Sequence, residues 1–345
     1  MKRKINFFKK KTPIIIAEMS GNHNGSLKKA LDIVREASKA GADAIKLQTY
    51  TAETITINSK SRDFIIHDKK SLWKKERLYN LYKKAHTPWS WHKKIYNLAK
   101  KLNLVCFSSP FDETAVDFLE KLNTPFYKIA SFEITHLPLI KKVALTKKPM
   151  IISTGLASKK EIKEAIKIAK KNGCPQIILL KCTSAYPADI TDTNILTIKD
   201  LKKSFKCEVG FSDHTLGIGA PLAAISHGAK IIEKHFTISK SDKGVDSAFS
   251  MDAKELSLLV TEAKRAYLSL GKVNYKLSSS EKKSKIFRRS IYAKKNIKKG
   301  EIFTSHNIKV VRPSYGLSPK YYFKLLGKRS KRQIKKATRI LSNDL

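Results

Sequence analysis

The chain of 345 residues is 41% hydrophobic, enough to bury a sizeable core and too long for one small module. Its 70 Lys and Arg against 29 Asp and Glu leave a formal net charge of +41, yet the lysines run from Lys2 to Lys336 in pairs and triplets without interleaved aromatics. That spread argues for a solvated surface and against a nucleic-acid-binding stripe, while leaving a field that draws small anions.

The basic start is followed by the short apolar run Ile14-Ile15-Ile16, which Glu18 breaks at once. This is too short for a signal peptide or a membrane span. From there β-branched runs alternate with helical patterns. Strands are expected at 14–18, 44–48, 104–109, 126–131, 150–154, 177–183, 207–213 and 230–237, with helices such as 27–40, 113–122, 159–171 and 220–227 between them. Eight such units over roughly 250 residues are the size of an α/β closed (β/α)8 TIM barrel. A barrel domain is therefore expected over 1–271, its last helix near 255–270. The stretch 272–286, with Ser278-Ser279-Ser280, reads as a linker. Residues 287–345 read as a small, mostly β domain with strands at 290–293 and 308–312. The four cysteines, Cys106, Cys174, Cys182 and Cys207, form no CxxC pair, and three lie in apolar runs. A reduced, cytoplasmic protein follows.

A TIM barrel keeps its chemistry at the C-terminal ends of its strands. Here those ends are polar almost throughout: Glu18, then Lys46 and Gln48, Ser108 and Ser109, Lys128 with Ser131 and Glu133, Ser153 and Thr154, Lys181 with Thr183, Ser184 and Tyr186, Ser212 with Asp213 and His214, Glu233 and His235. An unpaired polar group in a core costs roughly 1–3 kcal/mol, so convergence from every strand predicts a bound polar ligand. Lys46 and Lys128, inside otherwise apolar strands, with Ser131, Ser153 and Ser212, suit a compact dianion such as phosphate, helped by the helix N-terminus near Gly217 and Gly219. His214 and His235, at adjacent strand ends, are placed to share one divalent cation with positions left open. Glu18, Glu133 and Glu233 are candidate acids or bases, each with an ion pair to lysine as its ordinary alternative, and Glu133 is favoured for proton handling.

These strand-end segments resemble the sialic acid synthase family over nearly the whole chain. The resemblance rests on Ala17-Glu18-Met19-Ser20-Gly21-Asn22-His23-Asn24-Gly25, Lys46-Leu47-Gln48 and Lys128-Ile129-Ala130-Ser131-Phe132-Glu133. It continues through Ser153-Thr154-Gly155, Gly210-Phe211-Ser212-Asp213-His214-Thr215 and Glu233-Lys234-His235-Phe236-Thr237. The tail is similar to that family's antifreeze-like (SAF) domain, through Arg288-Arg289-Ser290 and Val311-Arg312-Pro313.

The resemblance implies a metal-dependent condensation of phosphoenolpyruvate with an open-chain N-acetylated amino sugar, releasing phosphate. Lys46, Lys128, Ser131, Ser153 and Ser212 would hold phosphoenolpyruvate, and His214 and His235 would bind Mn2+ or Mg2+. Glu133 would handle the proton of the attacking water. Glu18, Gln48, Tyr186 and Asp246 would address the sugar. A homodimer is implied, with each SAF domain over its partner's barrel and Arg312 completing the partner's site.

Ser184 stands where the N-acetylneuraminate branch has Asn, among the phosphate contacts, and Ser109-Pro110-Phe111 replaces Thr-Pro-Phe. The segments Thr87-Pro88-Trp89-Ser90-Trp91-His92 and Gly244-Val245-Asp246-Ser247-Ala248-Phe249-Ser250 look like the pseudaminic acid branch. Trp89 and Trp91 would then offer apolar surface to a 6-deoxy sugar, or else simply anchor their loop. N-acetylneuraminate or legionaminate synthesis is the alternative within the family. A non-enzymatic polyanion binder, suggested by the charge alone, and an interaction protein using the tail as a module are the alternatives of other classes. The first predicts salt-sensitive polyanion binding without phosphate release, and the second leaves the polar strand ends unexplained.

Overall fold

In the computed structural model, residues 7–68, 71–242 and 244–345 are described, in two compact units, Met1–Gly271 and Lys272–Leu345. Eight parallel strands close the first unit in sequential order: β1 Ile14–Glu18, β2 Ala44–Thr49, β3 Val105–Pro110, β4 Tyr127–Ile129, β5 Met150–Ser153, β6 Ile177–Cys182, β7 Glu208–Asp213 and β8 Ile231–His235. One main helix follows each: α1 Leu27–Lys39, α2 Trp89–Lys101, α3 Glu113–Lys121, α4 Leu137–Leu145, α5 Lys159–Lys171, α6 Thr197–Phe205, α7 Gly219–Ser226 and α8 Ala253–Leu270. The expected TIM barrel is the observed fold.

Local chemistry sets the helix starts. Ser26 accepts from Lys29 N to cap α1, Asp112 accepts from Thr114 N and Ala115 N at α3, and capping boxes pair Ser158 with Glu161 and Asp252 with Glu255 at α5 and α8. The strands are buried on both faces, as parallel strands under helices must be. Their outward residues meet the helices in one large apolar shell. Their inward residues Ile14, Ile16, Ala44, Phe107, Phe126, Ile151, Ile178, Leu180 and Ile231 pack with Phe8 into a separate floor inside the barrel. Each such buried side chain is worth about 1.5–3 kcal/mol, and the floor closes the barrel below the polar layer.

The strand β4 is shorter than expected. Its chain turns at Ala130 into a 3-10 turn, Ser131–Glu133, so Ser131 and Glu133 are carried on a turn, not a strand. The expected linker also holds structure: Ser278 and Glu281 form a capping box that starts the helix α9 Ser279–Ser284. In the second unit, β9 Ser290–Ala293 pairs antiparallel with β10 Ile308–Val311. Ile291, Ile297, Phe303, Ile308, Leu325, Ile334 and Ile340 form its own small core. No helix among the described residues is long and apolar enough to cross a membrane.

Candidate active site

Side chains two apart on a strand share a face. Two residues beyond the apolar floor, the same inward face therefore presents Glu18, Lys46, Ser109, Lys128, Ser153, Cys182, Ser212 and Glu233. Their contacts form one buried layer. Glu233 Oε1 is reached by Lys128 Nζ at 2.9 Å, Ser212 Oγ at 3.0 Å and Lys46 Nζ at 3.2 Å. Lys46 Nζ also lies 3.1 Å from Glu18 Oε2, and Gln48 Nε2 donates to Glu18 Oε1 at 3.0 Å. The register that allows this pairs Glu18 with Lys46 on one side and with His235 on the other, and Ser212 with Glu233.

Beside this cluster lies a cradle of small groups. Gly155 N donates to Ser131 Oγ at 3.2 Å. A Cβ on Gly155 would come within 2.3 Å of Ser184 Oγ and 2.8 Å of Ser131 Oγ, so the bare backbone keeps the space between two hydroxyls open. Ser153 Oγ, Ser109 Oγ, Glu133 Oε2, Glu233 Oε2 and His235 Nδ1 are buried without a hydrogen-bond partner. Buried polar atoms are ordinarily paired, and five orphans at one barrel mouth mark the space a polar ligand fills.

The electrostatics divide the carboxyls by role. Burial alone would raise Glu233, but Lys128 and Lys46 outweigh it and hold the group ionised, well below the usual carboxylate range. Burial pushes Glu18 up to about 7, with Lys46 pulling against it and Glu233 adding to it. Burial likewise pushes Glu133 up to about 7; its own backbone N–H, Lys128 and Lys46 offset only part. Lys46 stays protonated because Glu18 and Glu233 outweigh its burial, whereas burial lowers Lys128 despite Glu233. Two ammonium groups thus face one firmly ionised carboxylate and two carboxyls poised near neutrality. The layer is positive only while those two carboxyls hold their protons.

The two histidines adjoin this layer, their rings 5.3 Å apart. Burial would lower His214, but Cys182 and the Thr183 carbonyl, to which Nδ1 donates at 2.9 Å, outweigh it and raise the group, so Nε2 offers a lone pair only once the ring has lost its second proton. Burial and the charges of His214 and Lys46 hold His235 well below the ordinary histidine range, hence neutral. Its orphaned Nδ1 lies 3.9 Å from Asp246 Oδ2. Among the described residues no group of three or more His, Cys, Asp or Glu is arranged to hold a metal. Two imidazoles would hold a divalent cation only if other oxygens completed its shell, as in a catalytic site with open positions. Tyr186 covers the pair, its ring 4.3 Å from His214 and 6.1 Å from His235, and Phe249 lies 5.0 Å from His235.

Some polar strand ends turn elsewhere. Ser108 bonds Thr49, which also meets His92, and Lys181 bonds Cys182 O and Thr183. Lys234 and Asp213 pair with each other at 2.9 Å. Arg312 belongs to the second unit, where it borders a cleft with Lys294, Lys309 and Lys336. Trp89 stacks on Phe118 at 4.7 Å and Trp91 packs against the outer shell; both anchor α2, and neither joins the aromatic group around the histidines. The sequence reading missed two residues. Cys182 sits two after Leu180, which puts it in the polar layer, with Sγ 3.7 Å from Ser184 Oγ. Trp73, in the long connection between β2 and α2, lies 6.0 Å from Tyr186.

A (β/α)8 barrel with two buried lysines, orphaned hydroxyls and a histidine pair at its mouth is an enzyme, built to hold a small anion beside an electrophile. Comparison with known proteins narrows the class. The NeuB family model matches residues 33–275 and the SAF domain model matches residues 288–345. The chain belongs to the NeuB family. It is 47% identical over 329 residues to a pseudaminic acid synthase of Campylobacter jejuni, covering 95% of each chain. It is 40% identical over 322 residues to an N,N'-diacetyllegionaminic acid synthase of the same species, covering 92% of this chain and 96% of that one. The crystal structure of an N-acetylneuraminic acid synthetase from Leptospira borgpetersenii matches with a TM-score of 0.70 and 34% identity, covering 79% of this chain and 90% of the other.

Proposed function

We propose that this enzyme catalyses pseudaminic acid synthesis, condensing phosphoenolpyruvate with 2,4-diacetamido-2,4,6-trideoxy-L-altrose and releasing phosphate. The observation that carries the reading is the buried lysine pair, Lys46 and Lys128, set on one carboxylate and facing orphaned hydroxyls and the histidine pair. Both lysines are 4% exposed or less, so a polyanionic macromolecule could not reach them; a small anion in the barrel mouth can. The residue-level likeness to the pseudaminic branch and the higher identity to its member favour this product over the legionaminate and neuraminate alternatives.

Lys46, Lys128, Ser131, Ser153, Ser184 and Ser212 hold the phosphate and carboxylate of phosphoenolpyruvate. Held there, C3 of the enol attacks the aldehyde carbon of the open-chain sugar, and the positive character left at C2 is met by water. Glu133 takes the water proton through its unpartnered Oε2, and phosphate leaves by cleavage of the C2–O bond. Glu18, Gln48, Tyr186 and Asp246 position the sugar. A divalent cation, Mn2+ or Mg2+, held by His214 and His235, supplies Lewis-acid polarisation of the aldehyde oxygen when bound. Chelation followed by washing is expected to abolish turnover, and Mn2+ or Mg2+ to restore it. Full activity of the His214→Ala, His235→Ala variant would remove the pair from the mechanism.

The domain plan within this reading is a catalytic barrel over 1–271, a connecting segment 272–286 and a SAF domain over 287–345, in a cytoplasmic homodimer. Each SAF domain covers the partner's barrel, and Arg312 reaches the sugar in that barrel. Arg312→Ala should then raise the sugar KM at unchanged thermal stability. Mixing it with the His214→Ala, His235→Ala variant should restore activity once subunits exchange, because some barrels regain both parts. Failure to restore activity after proven exchange would assign Arg312 to its own chain's site or to none. The assay that tests the whole reading offers purified enzyme each candidate sugar with phosphoenolpyruvate and measures phosphate release.

A further inference from the structure

We propose that Trp73 is a sugar-contacting residue that selects for a deoxy terminus, a reading that rests on the function proposed above. The indole extends an aromatic wall that begins at the histidine pair. Phe249 and Tyr186 line it, 5.3 Å apart, and Trp73 continues it 6.0 Å beyond Tyr186. For a sugar whose aldehyde sits at His214 and His235, this wall is the apolar surface offered to its far carbons. An aromatic face favours a methyl group there and gives a hydroxyl no partner, so it discriminates by desolvation.

The wall is built and held, not incidental. Trp73 Nε1 donates to Val245 O at 3.1 Å, tying the β2–α2 connection to the segment that follows β8. The connection is itself clasped where Ile66 N meets Glu76 O at 3.0 Å and Lys75 N meets Ile66 O at 2.9 Å, and Glu76 N returns to Trp73 O at 3.0 Å. Underneath, Gly21 leaves room for both flanking segments: a Cβ there would fall 2.4 Å from Val245 Cγ2 and 3.2 Å from Ala85 O. Asn22 fixes the same corner through Phe236 O and Ser250 Oγ, each at 2.9 Å. Three connections therefore meet at the far end of the wall, and Trp73 is the large apolar side chain they present beside Tyr186.

Steady-state kinetics of Trp73→Ala and Trp73→Phe, with each substrate varied in turn, test this. The sugars are the 6-deoxy diacetamido hexose and its 6-hydroxy counterpart, identical elsewhere. In Trp73→Ala the KM for the 6-deoxy sugar should rise about tenfold or more and its preference over the 6-hydroxy sugar should shrink, while the phosphoenolpyruvate KM moves less than about twofold. Trp73→Phe keeps a ring but not the N–H, and should retain most of both. An unchanged sugar KM in Trp73→Ala, or equal rises for both substrates, overturns the proposal. So does a Trp73→Phe variant as damaged as Trp73→Ala, since that makes the indole a strap for Val245. The chain has three tryptophans, and the other two lie in the α2 packing. Sugar added with phosphoenolpyruvate should therefore change tryptophan emission in the wild type and not in Trp73→Phe. Wild-type enzyme that ignores the 6-deoxy sugar but uses the 6-hydroxy one refutes the function proposed above, and the Trp73 kinetics are then read with the sugar it uses.

Discussion

Replacing Glu133 with Gln is expected to lower kcat by about 10²–10⁴-fold, the range for loss of a positioned proton acceptor, with both KM values little changed. Burial sets this carboxyl at about 7, up from its ordinary 4.5. A general base must be ionised to work, so the wild-type rate should climb as pH passes through about 7 and level off above it. The Glu133→Gln variant should lose that limb. Stability moves the opposite way. Between pH 4.5 and about 7 the folded state holds the proton more tightly than the unfolded chain, so the buried group costs stability as pH rises across that window. Glu133→Gln removes the cost, and its Tm at pH 8 should equal or exceed that of the wild type. A variant that loses rate while keeping or gaining stability separates a catalytic role from a structural one. Retention of wild-type kcat and of the pH limb would exclude Glu133 from proton transfer.

The barrel was legible because its signals are local. Strand boundaries follow β-branched runs, and helix starts follow side-chain caps such as Ser158 with Glu161. The observed ends of all eight strands fall within two residues of expectation. The 3-10 turn that takes over from β4 was not legible, since Ala130 leaves the strand for a turn that no periodicity announces. The Ser278-x-x-Glu281 cap of α9 was readable in principle, but the serine run drew the reading toward a linker. The polar layer was found almost whole, yet the inward and outward members of each strand end were not separated. Period two does that: Lys46 follows Ala44 into the barrel, whereas Lys181, Asp213 and Lys234 sit one place off and turn to local partners. The same count would have placed Cys182 with the layer. Contacts between distant segments, such as Trp73 with Tyr186, carry no one-dimensional signal. They depend on the path of a long connection that only the fold determines.

The second large effect concerns the lysines. Lys46→Met and Lys128→Met should each raise the phosphoenolpyruvate KM far more than the sugar KM, because each removes a charge-assisted contact worth about 1.5–3 kcal/mol, roughly 10- to 150-fold. The geometry makes a complication unavoidable and also supplies its control. Lys128 contacts Glu233, while Lys46 contacts both Glu233 and Glu18. Deleting either lysine leaves a buried carboxylate short of a partner, a defect of about 3–5 kcal/mol when an ion pair is broken one-sidedly. The single variants should therefore also unfold earlier. Adding Glu233→Gln to Lys128→Met removes the stranded charge, so thermal stability should recover in the double variant. Phosphoenolpyruvate affinity should not recover, since the missing ammonium is what the anion sought. Calorimetric titration of phosphoenolpyruvate into the folded double variant reads affinity apart from stability. Recovery of both together would mean that Lys128 serves the barrel by neutralising Glu233 and does not itself hold the substrate. Recovery of stability alone assigns the lysine to the anion and Glu233 to the task of keeping two ammonium groups charged and close in a dry interior until that anion arrives.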